Sequence, residues 1–87
     1  MGTYQIEWKS AALRELRRID RNVIPRIVSA VEALQEDPFP PTTRKLQGTE
    51  HTYRLRVGDY RVIYEVLDKR LIIQIVRVRH RRDVYQR

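Results

Sequence analysis

The chain has 87 residues, which is enough for one domain around a single hydrophobic core but not for two. It contains no cysteine, which excludes disulfides, thiolate metal sites and a thiol nucleophile, and its apolar runs are too short to cross a bilayer. We therefore expect one domain over residues 1–87 in a soluble, cytoplasmic protein.

The net charge of +7 is confined to the second half of the chain. Residues 1–43 contain six lysines and arginines and six acidic residues, whereas residues 44–87 contain twelve and five. This asymmetry is typical of a protein that binds a polyanion such as RNA, DNA or an acidic protein. On charge alone, a solvated basic surface is an equally good interpretation.

The first half of the chain predicts a strand followed by two helices. The segment YQIEW, residues 4–8, alternates apolar and polar side chains, as a half-buried strand does. Ser10 can cap a short helix, which the polar DRN at 20–22 interrupts. A second helix follows, because Pro25 falls in its first turn and apolar residues recur at helical spacing as far as Leu34.

The second half predicts a loop and three strands. Residues 38–52 hold three of the four prolines and form the loop. Two alternating runs, 53–57 and 60–67, flank the turn pair GD at 58–59, which predicts a hairpin. The last strand, 71 to about 79, is apolar on both faces at its start, as in the middle of a sheet. The predicted fold is α+β, in the order β-α-α-β-β-β, with an antiparallel sheet and a two-helix hairpin packed on one face.

Several familiar chemistries have no matching pattern in this sequence. The two histidines and the scattered acids do not have metal-ligand spacing, and the three glycines are isolated rather than part of a phosphate-binding loop. We therefore expect neither a metal-dependent nor a nucleotide-hydrolysing enzyme, and we predict no cofactor.

The sequence does place arginines on strands. Arg54 and Arg56 are two residues apart, so both leave the same face of their strand, and Arg61 opens the next strand across the turn. The last strand adds three more in alternation: Arg77, Arg79 and Arg81. If these strands are neighbours, a cationic face results, and it suits phosphate because guanidinium donates paired hydrogen bonds and stays charged. Taken singly, each arginine is more simply explained as a surface residue.

Two residues near the end of the chain can exchange protons. Metal-free RNA cleavage needs a base for the 2′-OH, cations for the phosphate and an acid for the leaving 5′ oxygen. His80 and Tyr85 are the nearby candidates for acid and base, and histidine titrates near neutrality. The alternative is that His80 is an exposed residue at a basic strand end and Tyr85 an aromatic packed back on the sheet.

Three segments together carry a resemblance to a known family: KLQG at 45–48, YRLRVGDYRVIYEV at 53–66 and VRHRRDVY at 78–85. They resemble the RelE/ParE superfamily of bacterial and archaeal toxins, and more closely its RelE branch. The resemblance implies the toxin of a type II toxin–antitoxin system that enters the ribosomal A site, beside 16S rRNA, and cleaves mRNA there by 2′-OH attack without a metal. It also implies a cognate RelB-like antitoxin in a hetero-oligomer that binds operator DNA through the antitoxin.

The resemblance and the arginine pattern together give two sets of site residues. The expected catalytic set is Arg61, Arg81, Tyr85 and His80. The expected RNA-binding set is Lys45, Arg54, Arg56, Arg77, Arg79 and Arg82. The resemblance matches Arg81 to a C-terminal phosphate-binding arginine and Tyr85 to a C-terminal tyrosine. Our hypothesis is that Tyr85 acts as base, with His80 or Arg81 serving the leaving group. The best-known RelE-type toxins carry lysines at the positions of Arg54 and Arg56, and arginine, unlike lysine, does not exchange its proton.

Two other functions stay open from the sequence. A ParE-like toxin shares the fold and inhibits DNA gyrase, and a non-catalytic module would only bind RNA or antitoxin. Substituting Arg81 and Tyr85 separates them, because these changes abolish a nuclease and spare the other two. For either kind of toxin, we expect the antitoxin to cover the cations or to displace the C-terminal tail.

Overall fold

Residues 4–81 are described by the computed structural model, and they form two helices and one sheet. The elements in chain order are β1 (Gln5–Trp8), α1 (Ser10–Arg17), α2 (Ile24–Ala33), β2 (Thr43–Lys45), β3 (Thr52–Val57), β4 (Tyr60–Leu67) and β5 (Ile72–His80). A short 3₁₀ turn, Asp68–Arg70, joins β4 to β5. In this part of the chain, neither helix has the length and apolar character that crossing a membrane requires. The predicted α+β architecture with two helices is confirmed.

The sheet is mixed, and its strands lie in the order β1-β5-β4-β3-β2. Strands β2 to β5 pair antiparallel, as predicted for β3, β4 and β5, but β1 runs parallel to β5, with Gln5 opposite Ile72. The prediction of an antiparallel sheet is therefore corrected at this edge. The reason is physical: alternation of side chains fits both strand directions, and the two helices after β1 supply the long connection that parallel pairing requires.

Strand β2 lies inside the segment 38–52, which the sequence predicts as a loop. It forms because Arg44 pairs with Arg54 of β3, and the backbone N–H of Arg56 donates to the carbonyl of Thr42 at 3.1 Å. A strand of three residues is too short to show a period of two. Its existence depends on β3, and the sheet therefore has one more strand than predicted.

Strand β5 lies inside the sheet, between β1 and β4, which explains its apolar start. It contains a β-bulge: Ile75 lies opposite Tyr64 and Arg77 lies opposite Ile63, so Val76 is an extra residue. Without the bulge, Arg77 would share a face with the buried Ile75. The bulge moves it to the other face.

The two helices cover one face of the sheet and bury the core against it. The core residues are Ala12, Leu16, Ile27, Val31, Leu34, Leu55, Val62, Tyr64, Val66, Ile73, Ile75 and Val78. Removing this apolar surface from water is the main driving force for the fold. The other face, which carries Arg54, Arg56 and Arg61 on β3 and β4, is called the open face below.

Tyr64 ties β4 to the proline-rich segment before β2. Its side chain is fully buried, and its hydroxyl donates to the carbonyl of Pro38 at 2.6 Å. Because that bond uses the only hydroxyl proton, Thr43 Oγ1 donates to the Tyr64 oxygen, at 2.9 Å. Tyr53 stacks on Tyr64, and Phe39 packs against Tyr53. These contacts hold β2 in place against the sheet.

Tyr64 also predicts how stability depends on pH. Burial raises its pKa to about 12, above the ~10 of an unfolded tyrosine. Because the folded pKa is the higher one, this stabilisation is complete below pH ~10 and is lost as the pH rises through the folded value. We expect the free energy of unfolding, measured with urea, to fall over this range.

The fall should be smaller in Tyr64→Phe, which has no phenol to ionise. Tyr4→Phe is the matched control, because the Tyr4 hydroxyl bonds to Asp68 at the surface and not in the core. We expect the control to keep most of the alkaline fall. Equal falls in wild type and Tyr64→Phe would show that Tyr64 is not responsible.

Candidate functional site

Two rows of arginines cross the open face near the β3–β4 turn. In the first row Arg44 lies opposite Arg54, and in the second Arg56 lies opposite Arg61, which in turn lies opposite Arg79. Paired strands are ~4.8 Å apart, and residues two apart on one strand are separated by ~7 Å. The sheet therefore gathers guanidinium groups from four strands into one area.

Four arginines from three of these strands line a shallow cleft, called the arginine cleft below. Its lining consists of Pro41, Thr42, Arg44, Arg54, Arg56 and Arg61, and its volume is about 140 Å³. No carboxylate lines it, and within residues 4–81 none of its four arginines forms an ion pair. No carboxylate of residues 4–81 therefore offsets their positive charge, and within this range paired N–H donors are available to an anion such as phosphate.

The arginines of β5 are held differently, by Glu15 of α1. Glu15 lies at the outer edge of β5 beyond the end of β1, where its Oε1 accepts the backbone N–H of Val78 at 2.7 Å. Its Oε2 accepts two hydrogen bonds from Arg77, at 2.9 and 3.1 Å, and lies 3.3 Å from Arg79 Nε. One carboxylate thus caps a strand edge and binds two arginines.

The charges around Glu15 set its ionisation. Partial burial on its own raises the pKa of this carboxyl group. The hydrogen bonds from Arg77 and Val78, together with the charges of Arg77 and Arg79, outweigh that effect, so the pKa lies below its usual value. Glu15 is therefore ionised at neutral pH and keeps both arginines directed towards the edge of β5.

The structure brings five of the predicted site residues to the open face. Arg54, Arg56 and Arg61 line the arginine cleft. Arg77 and Arg79 share the open face with them but are engaged by Glu15. The predicted cationic face therefore has two parts, one without and one with a carboxylate partner.

His80 lies on the other side of the sheet. It is opposite Tyr60, with the two rings 5.1 Å apart and nearly perpendicular, and it borders a hollow with Val78 and Ile19. Since neighbouring residues of a strand point to opposite faces, Arg79 and His80 diverge. The described structure does not bring His80 to the arginine cleft.

The other predicted residues lie around the margins of the site. Lys45 is opposite Tyr53 and so faces away from the cleft. Arg81 is exposed just beyond β5, and its backbone N–H donates to the carbonyl of Asp59 in the β3–β4 turn at 2.6 Å. The last two, Arg82 and Tyr85, fall outside the described residues.

Sequence reasoning missed two residues of this region, Arg44 and Glu15. Arg44 lay in the predicted loop, and the only local signal was the pair of β-branched threonines before it. Glu15 had no local signal, because its partner Arg77 is 62 residues away along the chain.

Comparison with known proteins gives a consistent result. Residues 6–85 match the profile of a family described as the ParE toxin of type II toxin-antitoxin system, parDE. Toxin RelG of Mycobacterium tuberculosis is 31% identical over 97% of this chain and 98% of its own length. The mRNA interferase toxin RelE of Escherichia coli K12 is 28% identical, over 94% of this chain and 90% of its own.

The fold is also similar to that of a protein of known structure. That structure is the crystal structure of the archaeal RelE-RelB complex from Pyrococcus horikoshii OT3. The TM-score is 0.81 at 31% sequence identity, and the match covers 91% of this chain and 96% of the other. At this coverage, the two helices and the sheet are shared.

Proposed function

Since this chain belongs to the ParE toxin family of type II toxin–antitoxin systems and is a RelE-like toxin, we propose that it is a ribosome-dependent endoribonuclease that cleaves mRNA in the A site without a metal ion. A relative named an mRNA interferase supports the reaction class. The observation that carries the proposal is the arginine cleft, whose four guanidinium groups have no carboxylate partner within residues 4–81.

The cleft supplies charge stabilisation for the reaction. Attack of a 2′-OH on the adjacent phosphate releases the 5′ oxygen, and negative charge builds on the phosphate oxygens in between. Arg56 and Arg61, directly opposite each other on β3 and β4, would donate hydrogen bonds to these oxygens. Arginine keeps its proton at neutral pH, so the cleft binds and stabilises the phosphate without moving protons.

The proton transfers belong to other groups. Tyr85 is the proposed base, because it matches the C-terminal tyrosine of the RelE branch and its phenol can exchange a proton. Arg81, exposed near Asp59 in the β3–β4 turn, is proposed to hydrogen-bond to the leaving 5′ oxygen, which takes its proton from water because arginine keeps its own. Arg81 is preferred to His80, which packs against Tyr60 on the other face.

We also propose a RelB-like antitoxin as partner. The support is the structural relative, which is a RelE-RelB complex, and the charge of the arginine cleft, which has no carboxylate partner within residues 4–81 and favours an acidic segment. In the proposed hetero-oligomer the antitoxin covers these cations and contacts operator DNA. A complex structure with Arg54, Arg61 and Arg81 all exposed would contradict this arrangement.

The activity is tested on purified ribosomes stalled on an mRNA with an empty A site. We expect new 5′ ends only within the A-site codon, no cleavage of the same mRNA free in solution, and no cleavage by Tyr85→Phe. Failure of the folded wild-type protein to cleave either sample would overturn the proposal.

The alternative function is inhibition of DNA gyrase, since the matching family profile is named for ParE. A supercoiling assay with purified gyrase separates the two functions. We expect no inhibition by this protein. Inhibition that survives Arg61→Gln, without any mRNA cleavage, would favour the ParE-like function.

A further inference from the structure

The spacing of the two arginine rows suggests that the cleft holds more than one phosphate. Arg44 faces Arg54 across β2 and β3, and Arg56 faces Arg61 across β3 and β4. Along β3 these pairs are two residues apart, or ~7 Å, and across the sheet their centres are one strand spacing of ~4.8 Å apart, which places the centres ~8.5 Å from each other. Adjacent phosphates of an extended single strand are separated by a similar distance, so each pair of guanidinium groups can face one phosphate.

We propose that Arg44 and Arg54 form a second phosphate subsite, which holds the phosphate next to the scissile one. The scissile phosphate lies at Arg56 and Arg61. This inference rests on the proposed nuclease function and adds to it a residue, Arg44, outside the predicted site. With the scissile phosphate on β3 and β4 and the second phosphate on β2 and β3, the RNA backbone would cross the open face along a line from β4 towards β2.

Arg44 is held in place well enough to form a subsite. Its neighbour Thr43 bonds to the buried Tyr64 through its hydroxyl and to the Pro40 carbonyl through its backbone N–H, at 2.9 Å each. On the other side of β2, the Arg56 N–H donates to Thr42. The guanidinium of Arg44 therefore extends from a paired strand, and ordering it on RNA costs less than ordering a free loop would.

The charges on the open face favour this position for the second phosphate. Continuing the first row from Arg54 leads to the apolar Ile63 and then to Arg77, which Glu15 already engages. Towards β2, in contrast, Arg44 has no carboxylate partner within residues 4–81. Because a contact to phosphate carries no sequence information, the subsite adds affinity without codon preference.

The test uses ribosomes programmed with three synthetic mRNAs. One has all its phosphates, and the other two each carry a neutral methylphosphonate at one of the linkages that flank the scissile phosphate. Single-turnover cleavage gives kcat/KM for wild type, Arg44→Gln and the control Arg70→Gln. Arg70 is exposed in the turn after β4, ~20 Å along the strand from Arg61, and its substitution removes the same charge.

We expect Arg44→Gln to lower kcat/KM about tenfold on the all-phosphate mRNA. That loss should vanish on one methylphosphonate mRNA and persist on the other, because only one flanking phosphate occupies the subsite. Arg70→Gln should stay within about twofold of wild type on all three. The unfolding midpoint of Arg44→Gln should equal that of wild type, since the side chain is exposed.

The other outcomes decide against the subsite. An equal loss in Arg44→Gln on all three mRNAs would assign Arg44 to general attraction of the ribosome, and no loss on any of them would remove it from the site. In both cases cleavage by wild type leaves the nuclease function standing. If wild type does not cleave the all-phosphate mRNA, the proposed function itself fails, and the subsite fails with it.

Discussion

Arg61→Gln is expected to lower A-site cleavage by ~100- to 1,000-fold, the usual cost of removing one donor to a developing oxyanion. Arg61 occupies the middle of the second arginine row, with Arg56 on one side and Arg79 on the other. Arg79 cannot replace it, because Arg79 is engaged by Glu15. The measurement is the single-turnover rate on programmed ribosomes.

The fold should tolerate this substitution. Within residues 4–81 the Arg61 guanidinium has one weak hydrogen bond, to the carbonyl of Tyr60 at 3.4 Å, so its loss leaves little unsatisfied. Arg61→Lys should give an intermediate rate, since it keeps the charge but not the paired donors. Unchanged cleavage by a folded Arg61→Gln would exclude the arginine cleft from the mechanism.

The second large effect is expected at Glu15, on stability. Glu15→Ala should lower the free energy of unfolding by about 2–3 kcal/mol, because it leaves the Val78 N–H without its acceptor and Arg79 Nε buried without a charge partner. Arg77 and Arg79 would also lose the carboxylate that neutralises their like charges. Urea unfolding at neutral pH gives the value, and Glu32→Ala, at an exposed position on α2, is the control.

The same carboxylate predicts a loss of stability in acid. The folded pKa of Glu15 is lowered, so its contribution is present above the unfolded value of ~4.3 and is lost as the pH falls through the folded one. Glu15→Gln, which can still accept the Val78 N–H, should be less destabilised than Glu15→Ala and should lack this acid loss. If Glu15→Ala unfolds at the same urea concentration as wild type, Glu15 does not hold the edge of β5.

The order of both helices and of four of the five strands was predictable from the sequence, because each of these elements relies on local signals. Alternation marks β1 and β3, the pair GD at 58–59 marks the hairpin, and apolar residues at helical spacing mark α2. Each of these signals spans fewer than a dozen residues. The structure confirms all of them, and with them the cationic face on β3 and β4.

The structural features that the sequence did not predict depend on contacts between distant segments of the chain. The direction of β1 is set by its pairing with β5, and β2 exists only because β3 lies beside it. Glu15 binds Arg77, which lies 62 residues later in the chain, and no local sequence pattern indicates this contact. The position of His80, in contrast, was predictable, because it follows Arg79 directly on the strand and so points to the other face of the sheet.

The position of β5 between β1 and β4 also determines when the protein can finish folding during its synthesis. Gln74 hydrogen-bonds to Glu7, 67 residues earlier, so β1 has no partner strand until β5 leaves the ribosome. Folding that waits for such distant contacts is slow. The nascent chain therefore presents separate hairpins and helices rather than a finished sheet, and Arg79 joins Arg61 only after residue 79 has emerged. The complete sheet can thus form only after β5 has been made.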